Sequence, residues 1–201
     1  MVNLAIFDYG AGNIFSLKNS LEKSGATVDV ITDFDKPNIY SGLLLPGVGN
    51  FDPAIKSITK SKTNFHNYVK DNTPVLGICL GMEMFFEKSE EGKEKGLGII
   101  QGDVIILPPS MKVPHMGWNN LEIKKPGRLL EGIKDNTWVY FVHSYRVKPV
   151  DNSVITAESD YGIKVPAVVE KRNFFGTQFH PEKSGKVGKI MIQNFLDVCK
   201  K

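Results

Sequence analysis

Residues Val75 to Ile78 are a short apolar run that passes through Gly77-Ile78-Cys79-Leu80-Gly81 into a helical pattern beginning at Leu80. A strand that enters a helix through a single residue must turn sharply, and the small neighbours Gly77 and Gly81 permit it. This strand-turn-helix unit restricts the chain to folds that alternate buried strands with helices. It also raises Cys79 at the bend, the cysteine form of a nucleophile elbow. A thiol there faces the unpaired N–H groups of a helix N-terminus, which is expected to favour the thiolate. Far downstream, residues 176–182 read Gly-Thr-Gln-Phe-His-Pro-Glu. His180 and Glu182 stand two apart, and in an extended segment both side chains lie on one side. The carboxylate can then hold the imidazole while the imidazole serves the sulfur. A lone cysteine has an ordinary core reading and a His-Pro-Glu an ordinary turn reading. The two together, in this order, read as a catalytic triad of Cys79, His180 and Glu182.

The remaining pattern agrees with an α/β fold. Leu4 to Phe7 is an apolar run closed by Asp8, and Gly10-Ala11-Gly12-Asn13 is a turn before a helix that carries Leu17 and Leu21 and ends near Gly25. Val28 to Ile31 and Leu43 to Leu45 are further short runs, suited to buried parallel strands joined by helical crossovers. After about residue 100 the pattern becomes mostly β and partly antiparallel. Strands are expected at Val104 to Leu107, Leu121 to Ile123, Val139 to Val142, Val154 to Thr156, Ala167 to Glu170 and Phe174 to Gln178. Gly188 to Lys200 closes the chain as an amphipathic helix. Ser89 to Gly96, charged and flanked by glycine, is expected to be an exposed loop.

With 201 residues, 41% hydrophobic and 23% charged, the chain is long enough for one well-buried domain and short for two, so residues 1–201 are expected to form a single domain. Two cysteines in unrelated contexts give neither a disulfide framework nor metal-ligand spacing. No basic region precedes the N-terminal apolar run, and that run is far too short to span a membrane. A cytoplasmic protein with no metal and no membrane association is expected. The net charge of +3 is spread over scattered lysines and three arginines, which argues for a solvated surface and against nucleic acid. Gly10-x-Gly12 opens like a dinucleotide fingerprint, but Phe15 occupies the place of the third glycine, and Gly185-Lys186 lacks the upstream glycine of a phosphate loop. No nucleotide site and no cofactor are expected. Pro46-Gly47-Val48-Gly49 follows a predicted strand at the edge where open α/β sheets place ligands, so it is an ordinary turn or, paired with Cys79, the source of an oxyanion donor. Leu80 N–H is the other donor, from the geometry of the elbow.

The elbow together with His-Pro-Glu resembles the class I glutamine amidotransferases, whose triad is Cys, His and Glu. The resemblance implies a three-layer α/β fold, with a mixed, mostly parallel sheet of seven or more strands flanked by helices. It also makes residues 46–49 an oxyanion strand, with the second donor at the amide of Val48 or Gly49. Three more segments, Asp8 to Asn13, Pro114-His-Met-Gly-Trp-Asn119 and Tyr140 to Arg146, resemble the glutaminase subunits of imidazole glycerol phosphate synthases, and the likeness runs from Phe7 to Ser184. In that family Gly47, Glu83, His143, Ser144 and Tyr145 face the glutamine substrate, while Asn13, Trp118 and Lys183 face a partner. The implied partner is a (βα)8-barrel cyclase subunit that takes the ammonia. Taken singly, Trp118 reads as core, and His115 and His143 read as satisfied structural histidines. Glu83 stands where the family commonly has glutamine, and an ionised carboxylate there accepts but cannot donate. Two other readings remain open: an amidotransferase serving purine, pyridoxal or chorismate chemistry, and a non-catalytic binding protein that kept the elbow.

Overall fold

The computed structural model describes residues 2–10, 14–35, 39–61, 65–69 and 73–200. Strand β1 (Val2–Phe7) is followed by helix α1 (Ile14–Lys23), strands β2 (Ala26–Ile31) and β3 (Gly42–Leu45), and helices α2 (Phe51–Thr59) and α3 (Phe65–Val69). Strand β4 (Val75–Ile78) enters the four-residue helix α4 (Leu80–Glu83) through Cys79. Then come β5 (Lys88–Ser89), β6 (Gly102–Ile106), β7 (His115–Asn120), β8 (Glu122–Ile123), β9 (Trp138–His143) and β10 (Tyr145–Pro149). The chain ends in β11 (Ile155–Asp160), β12 (Lys164–Lys171), β13 (Phe174–Thr177) and helix α5 (Gly185–Cys199).

Eight strands form the central sheet, in the order β2-β1-β3-β4-β13-β12-β11-β8. The first five are mutually parallel and the last three pairings are antiparallel. The sheet is mixed, as expected. Its parallel strands are apolar on both faces because both faces are covered. Ala5, Phe7, Leu43, Leu45 and Val75 point to one side, where Ala54, Ile55 and Ile58 of α2 and Phe65, Tyr68 and Val69 of α3 meet them. Leu4, Ile6, Leu44, Leu76 and Ile78 point to the other, against Leu17 and Leu21 of α1 and Met191, Ile192, Phe195 and Leu196 of α5. On the first side Phe34 sits between Phe7 and Tyr68, with ring centroids 4.7 and 4.4 Å away. Each such fully buried aromatic contributes roughly 2–3 kcal/mol of burial energy.

Two smaller sheets cover the carboxyl edge of the central one. One has the order β10-β6-β5, and the other is the antiparallel pair β7-β9, with His115 opposite His143 and Trp118 opposite Tyr140. β5, β7 and β10 were not expected from the sequence. His-Met-Gly-Trp-Asn-Asn of β7 has no β-branched residue, and β10 is half polar and ends at Pro149. Their partners supply what their own propensity does not. Leu121 lies outside β8 and Val154 in a 3-10 turn before β11, so two expected strands start later than their apolar runs.

Residues 89–96 are exposed at Glu90, Lys93 and Lys95, as expected, but the loop is anchored at several points. Ser89 is buried and pairs in parallel with Val104. The Asp52 carboxylate accepts from Lys93 N–H and Glu94 N–H, at 2.9 Å from each nitrogen. The Glu91 carboxylate accepts from Phe51 N–H at 3.1 Å, satisfying a free donor of α2 where Asn50 makes no side-chain cap. The loop is thereby pinned to the start of α2.

The elbow glycines have a packing reason. A Cβ on Gly77 would lie 2.5 Å from the Gly81 carbonyl carbon, and one on Gly81 would overlap the Leu45 carbonyl of the neighbouring strand. Gly81→Ala is therefore expected to destabilise the fold by roughly 2–3 kcal/mol through backbone overlap, which a denaturant melt will read. The same change at exposed Gly98 meets no atom within 4 Å and carries only the penalty of its φ of +65°.

Candidate active site

The ends of β1, β3, β4 and β13 meet at one edge of the sheet. Parallel pairing sets Leu45 beside Gly77, Gly77 beside Gly176 and Ile78 beside Thr177. The segments that leave these strands therefore emerge together: Asp8-Tyr9-Gly10, Pro46 to Gly49, Cys79, and Gln178 to His180. Gly10 N–H donates to the Asp8 carboxylate at 2.7 Å, and residues 11–13 lie outside the described set, Asn13 among them. Cys79 adopts φ 50° and ψ −107°, a costly conformation for a residue with a side chain, held by its N–H bond to Thr177 O at 2.6 Å. Such strain at a bend is what presents a nucleophile to a cleft.

His180 Nδ1 lies 2.9 Å from Glu182 Oε1, and both side chains are buried. The spacing works differently from the extended segment expected, because Pro181–Lys183 is a 3-10 turn that folds Glu182 back onto the ring. Ser184 fastens this turn: its hydroxyl donates to His180 O at 2.7 Å and accepts from Tyr140 N–H at 3.0 Å. With Nδ1 committed to the carboxylate, Nε2 is the free nitrogen, and it is buried without a partner.

The thiol is not bonded to that nitrogen. It points at Val142 O, 3.8 Å away, and receives Gln178 Nε2–H at 3.7 Å. The expectation that a helix N-terminus would favour the thiolate is corrected by the structure: burial and the neighbouring Glu83 raise the Cys79 thiol well above its ordinary value. The Leu80 amide and Gln178 pull the other way but do not prevail, and α4 is only four residues long, so its dipole is small. The resting nucleophile is a protonated thiol.

A cleft of about 290 Å³ opens in front of it, lined by Gly47, Val48, Gly49, Leu80, Glu83, Glu91, His143, Ser144 and Tyr145 as well as Cys79. All three expected oxyanion residues and all five expected substrate-facing residues border it. Gly49 has φ +135°, a backbone state that favours glycine. Gly47 must be small because a Cβ would crowd Ile78 O and lie 3.0 Å from Cys79 Cβ. A larger cavity of about 720 Å³ lies far off between Ile123 and Ile133, where Glu170 is already bonded to the Arg128 and Leu129 amides. Among the described residues no group of three His, Cys, Asp or Glu is placed to hold a metal ion, and no helix is long and apolar enough to cross a membrane.

Glu83 is buried and accepts from Gln178 Nε2–H at 3.1 Å. Burial lifts its carboxyl from 4.5 to about 8, against the lowering effect of Gln178. Tyr9, whose hydroxyl is buried without a partner, lies close enough to Cys79 and Glu83 for both to raise its own ionisation. Tyr9, Gln178, Val142, Glu91 and Ser184 were not assigned from the sequence. Gln178 stands inside the quoted His-Pro-Glu stretch, two residues ahead of His180, and Tyr9 and Val142 stand inside the Asp8 to Asn13 and Tyr140 to Arg146 segments, which were the available signals.

His143 and His115 are the satisfied structural histidines that their residue type suggested. His143 Nδ1 donates to Tyr145 O at 2.7 Å, His115 Nδ1 to His143 Nε2 at 2.9 Å, and Asn119 Nδ2 to His115 Nε2 at 3.4 Å. Each bond fixes the tautomer for the next. His115 is also sandwiched between Phe141 and Tyr161. Trp118, by contrast, is 53% exposed rather than core. It meets Tyr140 edge-on at 6.0 Å, and Lys183 Nζ lies 6.0 Å from the same ring, so Trp118 and Lys183 flank one surface spot.

Comparison with known proteins gives a consistent result. The family described as glutamine amidotransferase class-I matches residues 5–199. The imidazole glycerol phosphate synthase subunit HisH of Methanocaldococcus jannaschii is 44% identical over 97% of this chain and 99% of its own. The subunit of the same name from Archaeoglobus fulgidus is 46% identical over 98% and 100%. Among solved structures, PurLQS from Thermotoga maritima superposes with a TM-score of 0.76 at 17% identity, covering 98% of this chain and 99% of the other. A glutamine amidotransferase structure gives 0.72 at 16%, with the same coverage. At those identities the structural likeness shows the shared three-layer fold.

The histidine pair gives a signed pH dependence. Burial lowers His115 from 6.5 to about 4 and His143 from 6.5 to about 3. Between those values and 6.5 the unfolded chain binds protons that the folded chain refuses, so this contribution is full above 6.5 and is lost as pH falls. Glu83 runs oppositely, its contribution falling as pH rises from 4.5 to about 8. Comparing wild type with His115→Asn isolates the first effect. The variant should lose about 1.2 kcal/mol of that dependence between pH 6 and 5, read by urea melts. Parallel stability curves would show that His115 is not held neutral.

Proposed function

The chain belongs to the class I glutamine amidotransferase family, and from that premise we propose that it is the glutaminase subunit of an imidazole glycerol phosphate synthase. It hydrolyses glutamine to glutamate and ammonia and passes the ammonia to a cyclase subunit, which converts PRFAR to imidazole glycerol phosphate and AICAR in histidine biosynthesis. The observation that carries this reading is a strained Cys79 at the head of a cleft bordered by residues 47–49 and Leu80, with a Glu182-bound His180 of free Nε2 on the segment that leaves the paired strand β13.

In the proposed mechanism the Cys79 side chain turns from Val142 O toward His180 Nε2, which takes the thiol proton as sulfur bonds to the carboxamide carbon of glutamine. The carbonyl oxygen becomes an oxyanion held by Leu80 N–H and by the amide of Val48 or Gly49. A preset donor of this type is worth roughly 3 kcal/mol of barrier. The tetrahedral adduct collapses with cleavage of the carbon–nitrogen bond, and imidazolium gives its proton to the departing nitrogen, leaving ammonia and a γ-glutamyl thioester. Water, deprotonated by the same nitrogen, attacks the thioester and releases glutamate and the thiol. Glu182 holds the ring and stabilises its charged form. Gly47, His143, Ser144 and Tyr145 border the amino-acid end of the substrate.

The partner is a (βα)8-barrel cyclase that receives ammonia through an internal passage, since ammonia released to water is protonated and lost. Its seat includes Trp118, Lys183 and Asn13, and Met116 and Trp118 present exposed apolar surface on one side of β7. We read residues 1–201 as one domain working in the cytoplasm, consistent with two free cysteines.

Cys79→Ala should lower glutamine-dependent synthesis by the cyclase complex on the order of 10³-fold or more, while synthesis from added ammonium at elevated pH persists. Equal loss with both nitrogen sources would make Cys79 structural. His180→Ala should cost more than Glu182→Gln, which keeps the base and weakens only its orientation. Isolated, the chain should be a poor glutaminase that the cyclase and its ligand stimulate, with less stimulation in Trp118→Ala and Lys183→Ala. A chain equally active alone and in complex would defeat the coupling.

A further inference from the structure

We propose that Glu83 serves glutamine hydrolysis as a neutral carboxylic acid, a hydrogen-bond donor in the cleft, so that its ionisation closes the site to glutamine. This rests on the glutaminase reading above and adds to it a pH control that belongs to this residue.

The geometry carries the inference. Glu83 ends the short helix that Cys79 enters, and one amide nitrogen, Gln178 Nε2, reaches both, at 3.1 Å from the Glu83 carboxyl and 3.7 Å from the Cys79 sulfur. Glu83 is 4% exposed yet borders the cleft, and its hydrogen bond is to a neutral amide, Gln178. The titratable groups that face it come from every side: Tyr9 from beyond β1, Cys79 from the elbow, Glu91 from the loop after β5, and Tyr145 from β10. Each of these can only become negative. His143 borders the same cleft but is held neutral by burial. Among the described residues no lysine or arginine pairs with Glu83. An ionised Glu83 would thus be a buried anion with no counter-charge, facing a second carboxylate at Glu91, and proteins resolve that arrangement by protonation. The upward displacement to about 8 agrees.

The neutral acid has one acceptor oxygen and one O–H donor, the same pairing a glutamine side chain offers and the one common at this position in the family. Its carbonyl oxygen takes the Gln178 N–H while the hydroxyl is available to the substrate. Loss of the proton removes the donor and sets a negative charge beside the thiol, which raises the thiol further and works against attack. An ionised Glu83 gripping the substrate's ammonium would predict the opposite sign, with activity rising as the carboxyl ionises.

The test uses the complex with its cyclase. kcat/KM for glutamine is measured from pH 6 to 10 in wild type and Glu83→Gln, with ammonium-driven synthesis as the control for the cyclase. Infrared difference spectra follow the carbonyl stretch of a protonated acid in both proteins. In wild type, kcat/KM should fall about tenfold per pH unit above the midpoint at which the acid band disappears. In Glu83→Gln that falling limb should move up by at least about one pH unit, and the band should be missing at pH 7. Superimposable limbs, activity that rises as the band is lost, or no acid band in wild type at pH 7 would each overturn the proposal. Should Glu83→Gln not fold, coincidence of band and limb in wild type still decides. A wild-type complex that never uses glutamine at any pH would sink the glutaminase reading instead, and the infrared titration would still report whether Glu83 is neutral.

Discussion

The parallel pairing of β4 with β13 is the contact on which the site depends. Nearly a hundred residues separate the two strands in sequence, and their register sets Ile78 beside Thr177, with Cys79 N–H bonded to Thr177 O. A slip of one residue in either strand would reverse which faces its side chains meet and carry the nucleophile away from His180. Close packing fixes the register. Gly176 lies beside Gly77, and a Cβ on Gly176 would strike Met82 and Val169, while one on Gly77 would strike Gly81. The glycines that make the elbow possible also let α4 sit directly on the sheet, so local turn chemistry and long-range pairing impose the same geometry.

The site is assembled in a resting arrangement. The Cys79 thiol, which burial raises well above its ordinary value, is directed at Val142 O, and the His180 imidazole keeps an unpartnered Nε2, so the two side chains are not hydrogen-bonded to each other. Burial works against a Cys79 thiolate, and Glu83 would add to that only once ionised, so attack by the sulfur calls for a change of geometry and for substrate filling the cleft. The energetic logic suits an enzyme whose product is useful only when a partner is present to take it.

What was legible in the sequence divides along a physical line. The elbow and the buried parallel strands were readable because each is a local pattern with one structural solution, small residues at a bend or an apolar run of strand length; the His180–Glu182 pairing was readable too, though through an extended segment and not the 3-10 turn that makes it. β7 and β10 were not, since their conformation is set by the antiparallel partners across from them and not by their own residues. The loop at 89–96 keeps Glu90, Lys93 and Lys95 exposed as its charges suggest, but its anchoring, with Asp52 holding the Lys93 and Glu94 amides and Glu91 on the Phe51 amide, depends on residues some forty positions away. The ionisation of Cys79 failed for a related reason. A helix N-terminus can be seen in sequence, whereas the shortness of that helix and the burial of both the sulfur and Glu83 cannot. The family resemblance supplied the border of the cleft residue by residue. Gln178, which touches both Cys79 and Glu83, escaped it although it lies in the motif.

The same ladder that closes the cleft also faces outward. In the β7-β9 pair Met116 stands opposite Val142, and Trp118 stands opposite Tyr140. Met116 and Trp118 are among the most exposed large apolar residues of the molecule, while Val142 O receives the catalytic thiol. Tyr140 completes the circuit, because its carbonyl accepts from His180 N–H at 3.0 Å and its N–H donates to Ser184, the residue that fastens the His180 turn. One strand, β9, therefore touches Cys79 through Val142 O and His180 through Tyr140 O, while its neighbour β7 carries the exposed Met116 and Trp118. The stacked and hydrogen-bonded chain from Asn119 through His115 to His143 stiffens that strand pair from within.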